Sequence, residues 1–230
     1  DAICSLAEEA WAHGIITRGG GGDYPRNVMM SPLSGVDKRE PFDLTGYVSA
    51  ASEYLLGFIK TVKLPRKLKV AFSGSSENFP HATFRDLGFV AKKNQTFDVY
   101  CAGGLGIQPK MGILAAEDAA PEMILYYIKA MVDTFTSYGN YESRARARTR
   151  YMQDTLGAEG LRRAFHEKLE CAMAQEDLKI HPSPLSVSKK GSSTLTHPRV
   201  TEQKQPGLYA VSYHPIGGNP SPSLFRTLYD

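Results

Sequence analysis

The order in which two hydrophobic periods follow one another constrains this chain most. Between Lys67 and Gly106 three short apolar runs read as strands: one beginning at Lys67, then "DLGFVAKK", then "TFDVYCAGGLG". Helical spacing follows, clearest in "PEMILYYIKAMVDTFTSYG". There Ile124, Tyr127, Ile128, Met131, Phe135 and Tyr138 form one wide apolar stripe, and Gly139 ends it. "ESRARARTRYMQDTLG" and "LRRAFHEKLECAMAQEDL" read as two more helices. Strands in a cluster with helices after them predict an α+β domain, a mixed β-sheet with packed helices. Upstream, "AICSLAEEAWAHG" reads as a helix stopped by Gly14, Gly19 to Gly22 as loop, and Phe42 to Val62 as another helix.

The 230 residues, 42% hydrophobic, suffice for one substantial core and a partial second unit. From Lys179 to Gln205 the chain turns to Ser, Thr, Pro, Lys and His, which predicts a linker or surface excursion over 179–205. Strand and turn signals resume at "GLYAVSYHPIGGNP". Ser221 and Pro222 then read as the N-cap and first position of a further helix. The opening on Asp1 and the break soon after Pro222 read as an internal piece of a longer polypeptide.

A net charge of +3 lies far from the basic excess of a dedicated nucleic-acid binder, so no nucleic-acid partner is expected. No run has the apolar length of a membrane span, so no membrane partner is expected. Cys4, Cys101 and Cys171 are odd in number and far apart, which fits a reducing cytosol and a cytoplasmic location.

Chemistry concentrates in "LPRKLKVAFSGS". Alternation puts Leu68, Val70 and Phe72 on one face and Lys67, Lys69, Ala71 and Ser73 on the other. Two ammonium groups on one face suit either an edge strand guarded against aggregation or a clamp for an anion. The arginines of "RARARTR" face apart on a regular helix, Arg144 and Arg148 opposite Arg146 and Arg150, so they form no groove-facing stripe. Gly103, Gly104 and Gly106 follow a strand, either as a tight turn or as a nest of N–H groups for an anion. His81 has no companion at metal-ligand spacing and reads as structural.

Five segments in one order, "RNVMMSPLSGVD", "LPRKLKVAFSGS", "HATFRDLGFV", "VYCAGGLG" and "YGNYESRARARTRYMQDTLG", resemble the siroheme-dependent nitrite and sulfite reductase family. The resemblance implies a first, cluster-free reductase repeat at 23–178. It implies the end of one ferredoxin-like unit at 1–22 and the start of a second at 206–230. The parent would hold siroheme and a [4Fe–4S] cluster, take electrons from a donor such as ferredoxin, and carry out six-electron reduction of nitrite or sulfite. The other repeat, in the remaining half of the polypeptide, would supply the cluster cysteines.

Here Ser75 and Phe79 stand in two of the cysteine places, so the piece alone is expected to hold neither cluster nor siroheme. By the same resemblance Lys67, Lys69 and Arg26 match the cationic substrate pocket. Arg26, Asn27, Arg66, Gly103, Gly104 and Gly106 match the siroheme rim, and no residue is a metal ligand. "KLK" leans to sulfite and "SENFPHATFRDLGFV" to nitrite, so the choice stays open. The rival reading is a non-catalytic, reductase-like structural or interaction module.

Overall fold

A computed structural model describes residues 2–18, 20–75, 77–192 and 194–229. Gly19 of the expected glycine loop, Ser76 of the cysteine-free stretch, and positions Asp1, Ser193 and Asp230 of the expected domain ranges lie outside the described residues.

The three expected strands form, as β1 (Val70–Ser73), β2 (Leu87–Ala91) and β3 (Phe97–Cys101). A fourth, β4 (Ile113–Ala119), completes a sheet of order β1-β2-β3-β4. β1 and β2 run parallel and the other pairs antiparallel, so the sheet is mixed. β4 has a weak strand signature because its last five residues, Ala115, Ala116, Glu117, Asp118 and Ala119, have little strand preference; pairing with β3 decides its conformation.

The expected face of Leu68, Val70 and Phe72 is wholly buried. Phe72 stacks on Phe89 at 4.5 Å, and Phe97 meets both edge-on at 5.9 and 5.7 Å. Such offset and edge-on pairs add to the area they bury. Three helices cover the core: α2 (Thr45–Gly57), α3 (Ile124–Tyr138) and α4 (Met152–Gln175). α3 buries Ile124, Tyr127, Ile128, Met131 and Phe135 of its expected stripe, while Tyr138 stays exposed. α4 is broken at Gly157, whose φ of +67° is outside helical space. α1 (Ala2–Ala12) forms as expected, yet Ile3, Leu6 and Trp11 on it are exposed.

Two local expectations fail in this unit. The strand at Lys67 begins only at Val70, and Lys67 to Lys69 lead into it as extended chain. The helix expected over the four arginines is absent; two 3₁₀ turns, Arg144–Arg146 and Thr149–Tyr151, flank an extended Arg148. Asn140 Oδ1 accepts the N–H groups of Glu142 and Ser143, a local alternative to helix. The facing argument made for a regular helix therefore does not apply.

The chain divides into two compact units, Asp1–Gly35 with Arg39–Leu185, and Val36–Lys38 with Ser186–Asp230. The expected linker 179–205 is not uniformly irregular. Its beginning is bonded down within the first unit, through Ile180 N–H to Glu122 O and Leu185 N–H to Asp43 Oδ2. Its end carries β5 (Val200–Glu202), paired antiparallel with β6 (Tyr209–Val211) in the second unit. α5 (Pro222–Tyr229) follows, and Ser221 Oγ accepts the Leu224 N–H as the expected cap.

Candidate functional site

The site starts from a turn that lies flat on the sheet. A Cβ on Gly88 would sit 1.9 Å from Ala82 O, one on Gly103 2.6 Å from Phe84 Cα, and one on Gly112 2.9 Å from Thr83 O. Glycine at all three positions lets the Ala82–Phe84 turn approach β2, β3 and the entry to β4 at backbone distance. Gly103 N–H then bonds to Arg85 O, Gly112 N–H to Thr83 O and Ala102 N–H to Asp86 O. The turn is fixed, and it delivers Arg85 and Asp86 to the start of β2, beside the entry to β1.

Asp86 is fully buried. Its Oδ2 accepts the Lys69 N–H at 2.8 Å and Arg148 Nη2 at 2.9 Å. Its Oδ1 accepts the Thr149 hydroxyl and, at 3.1 Å, the same Arg148 nitrogen. Four bonds offset the cost of taking a carboxylate out of water. They also join three distant pieces of chain: the approach to β1, the start of β2 and the Arg148–Thr149 turn.

Cations crowd this carboxylate. Burial pushes the Lys67 ammonium below its ordinary pKa, and Arg148, Arg26 and Arg66 push the same way while Asp86 opposes them. Lys69 is lowered by burial first, then by Arg85, Arg148 and Lys67, again with Asp86 opposing. Arg66 and Arg144 both pair with Asp23, at 2.9 and 2.7 Å, and Arg144 leads in holding that carboxyl below its ordinary range. The buried Nε of Arg148 has no hydrogen-bond partner among the described residues.

The expected site residues are only partly brought together. Lys67 helps to lower the Lys69 pKa, and Arg148 and Asp86 act on both lysines. The edge-strand explanation loses its basis, because β1 has no bare edge. Tyr24 to Met29 runs alongside it, with Arg26 N–H on Leu68 O and Met29 N–H on Val70 O. Arg26 acts on Lys67, but its guanidinium donates to Gly20 O and Gly22 O at 2.6 and 2.9 Å. Together with Asn27, Arg18 and Ser52 it also borders a cleft of about 180 Å³ floored by Leu55 and Ile59.

The nest at Gly103 to Gly106 needs correction. Gly103 N–H is taken by Arg85 O and Gly104 N–H by Lys110 O, so these two amides are committed inside the protein. Gly104 and Gly106 lie against Arg150, whose Nε donates to Gln108 O and whose guanidinium covers the Tyr151 ring. Sequence reasoning missed Arg85, Asp86, Arg148 and Thr149. The available signal was an aspartate opening an otherwise apolar strand.

The thiols are dispersed. Cys101 lies in the core on β3, its pKa pushed up to about 12 by burial, while Cys4 and Cys171 are exposed on α1 and α4. Of the two positions where the resemblance implies cysteines elsewhere in the family, Phe79 is exposed. Three scattered thiols do not make the thiolate set a [4Fe–4S] cluster needs. No described helix is long and apolar enough to cross a membrane.

Known proteins resemble this chain in sequence and fold. A sulfite reductase [ferredoxin] 1 from Mycolicibacterium paratuberculosis is 28% identical over 225 residues, covering 94% of this chain and 38% of that protein. The chloroplastic ferredoxin–nitrite reductase of Spinacia oleracea is 28% identical over 218 residues, covering 89% of this chain and 35% of its own length. The solved NirA protein of Mycobacterium tuberculosis superposes with a TM-score of 0.68 at 25% identity, over 91% of this chain and 37% of that one. The chain thus spans little more than a third of the relatives it matches. Residues 21–173 match the family model described as the nitrite and sulphite reductase 4Fe-4S domain, and to that family this chain belongs.

Proposed function

We propose that this chain is the cluster-free repeat of a siroheme-dependent nitrite or sulfite reductase, and that it supplies the cationic pocket for the anion. One observation carries the reading: Arg148 and the Lys69 N–H end on the fully buried Asp86 carboxylate, while Arg148, Arg26 and Arg66 act on Lys67 and Arg85, Arg148 and Lys67 on Lys69, so the two lysines feel more cations than carboxylates. Such an excess is costly in a site made only for stability, and an anionic ligand relieves it.

Siroheme fits these residues. Its peripheral carboxylates match Arg66, Arg85 and Arg148, and the orphaned Arg148 Nε is a buried donor lacking an acceptor. When bound, siroheme supplies electrons to the anion. Lys67 and Lys69 hold the anion and oppose the charge that grows on its departing oxygen. With their pKa values lowered, both are stronger acids than ordinary lysines and are suited to donate protons to that oxygen. The cluster does not fit this chain's thiols, so its cysteines belong to the remaining half of the polypeptide. A ferredoxin is the proposed electron donor, as in the names of the relatives. In this reading 1–22 and 206–230 belong to ferredoxin-like units.

The test is steady-state kinetics of Lys67→Met and Lys69→Met in the full-length reductase, with a chemical electron donor and rates normalised to bound siroheme. Removing one oxyanion-stabilising group costs about 2.7–4 kcal/mol of transition-state stabilisation, so turnover should fall about 100-fold or more. Siroheme content should stay near that of the unmodified protein. Folding stability should not fall, because a lysine whose pKa is lowered on folding disfavours the folded state at neutral pH. Full turnover per siroheme in both variants would reduce these cations to surface charge.

A further inference from the structure

We propose that Asp86 is the positioning residue of the cationic site, the one buried carboxylate that holds the lysine segment and the Arg148–Thr149 turn in a single arrangement. The inference rests on the reading of Lys67 and Lys69 as the anion pocket, and it adds the group that makes the pocket.

The geometry carries it. Lys69 is not placed by a complete strand ladder, since β1 begins one residue later. Its own N–H goes to Asp86 Oδ2, while its C=O accepts the Leu87 N–H, so Lys69 is pinned from both sides by the start of β2. Arg148 stands in extended backbone between two short 3₁₀ turns, where no helix fixes it. Its guanidinium and the neighbouring Thr149 hydroxyl end on the same carboxylate. Asp86 itself cannot drift, because the glycine-seated turn before it and β2 after it are both fixed to the sheet.

The charged groups facing the lysines come from every neighbouring segment. Arg26 stands beside the β1 approach, Arg66 precedes the lysines, Arg85 lies on the seated turn and Arg148 on the arginine-rich segment. All four are cations. Asp86 is the carboxylate acting on both lysines, and it favours their charged forms. Its neutral amide would therefore change lysine acidity as well as position.

Two measurements on the full-length, siroheme-loaded reductase test this. The first follows acetylation of Lys67 and Lys69 against pH by mass spectrometry, which reads their protonation without reference to activity. In Asp86→Asn both midpoints should move down by about one pH unit, and the alkaline limb of the pH–rate profile should move with them. The second uses Thr149→Val, which keeps the carboxylate and removes one hydroxyl holding it. Maximal turnover should fall several-fold at unchanged siroheme content and unchanged lysine midpoints, and Thr149→Ser should restore it.

If Asp86→Asn does not fold, the Thr149 pair decides. Unmoved lysine midpoints in a folded Asp86→Asn protein, or full turnover in Thr149→Val, would overturn the role of Asp86. If Lys67→Met and Lys69→Met are fully active, the pocket reading fails instead, and the acetylation midpoints still report whether Asp86 governs the lysines.

Discussion

Strand β2 has a charged cluster at each end, and the two are built in opposite ways. At its start one buried carboxylate, Asp86, faces a crowd of cations, and Lys67 and Lys69 have lowered pKa values. Past its end one cation, Lys92, lies between two carboxylates, 3.1 Å from Asp98 and 2.9 Å from Asp118, and its pKa is raised, by Asp118 first. Asn94 and Thr96 complete the second cluster by donating to Asp118 Oδ1. The far cluster is satisfied by its own members and open to solvent, as expected of a surface network that trims a turn. The near cluster has half-buried cations around a fully buried carboxylate, and its charges are unbalanced. On one strand, then, the balance of charge separates the proposed anion pocket from a network whose charges pair among themselves.

The largest test of this contrast is a backbone one. Gly88→Ala puts a methyl group 1.9 Å from Ala82 O, and neither β2 nor the turn can withdraw without losing its hydrogen bonds. Inserting a methyl group into such a contact should cost about 3 kcal/mol. Because the same turn places Asp86, siroheme retention should fall too. The other end tolerates the reverse exchange. Gln95 already sits at φ +62°, so Gln95→Gly should hold or raise stability by about 1 kcal/mol. Urea unfolding of the two variants makes the comparison, and equal stability for both would show that the turn yields easily.

This seating also explains what was legible beforehand. Leu68, Val70 and Phe72 follow a period of two, and the α3 stripe a period of 3.6; both patterns survive because burial of one face enforces them. The two lysines could be read onto one side for the same reason. The sequence offers only one signal for Asp86, an aspartate opening an apolar strand, and its role stays hidden there because its partners Lys69 and Thr149 stand 17 and 63 residues away. The helix expected around Arg148 does not form, because Arg148 sits in extended backbone with its guanidinium on that distant carboxylate. For Gly103 the sequence leaves a tight turn and an anion nest equally open, because a glycine that admits a neighbouring backbone and one that frees its own N–H look identical in sequence.

Next in size is the separation of lysine acidities in the unaltered protein. Lys67 and Lys69 should be half-deprotonated below the ordinary lysine value of 10.5, and Lys92 above it. Acetylation rates followed against pH should rank them in that order. In the proposed pocket anion binding depends on Lys67 and Lys69 being charged, so affinity should be full at neutral pH. It should weaken as pH rises through their lowered pKa values, before Lys92 titrates. Equal midpoints for all three lysines would remove the distinction between the two ends of β2.

The smallest effect lies at the acid limb of the far cluster. Asp118 is held down to about 2, by Asn94 first and then by Lys92 and Thr96, against an ordinary value of 3.8. A carboxylate whose pKa is lowered on folding contributes stability that is present above the unfolded value and lost as pH falls through the folded one. The contribution of Asp118 should therefore be complete above about pH 4 and should fade between there and about pH 2. Asp118→Asn removes the titrating group and can keep an acceptor for Asn94 and Thr96. The variant should be slightly less stable than the parent at neutral pH, with the gap closing on acidification through that window. Urea midpoints taken at intervals across it measure the gap. Because the cluster is solvent-exposed, the gap should also shrink with added salt. A constant gap at every pH would mean that Asp118 acts through shape alone, and that the far end of β2 is held by its hydrogen bonds and not by its charges.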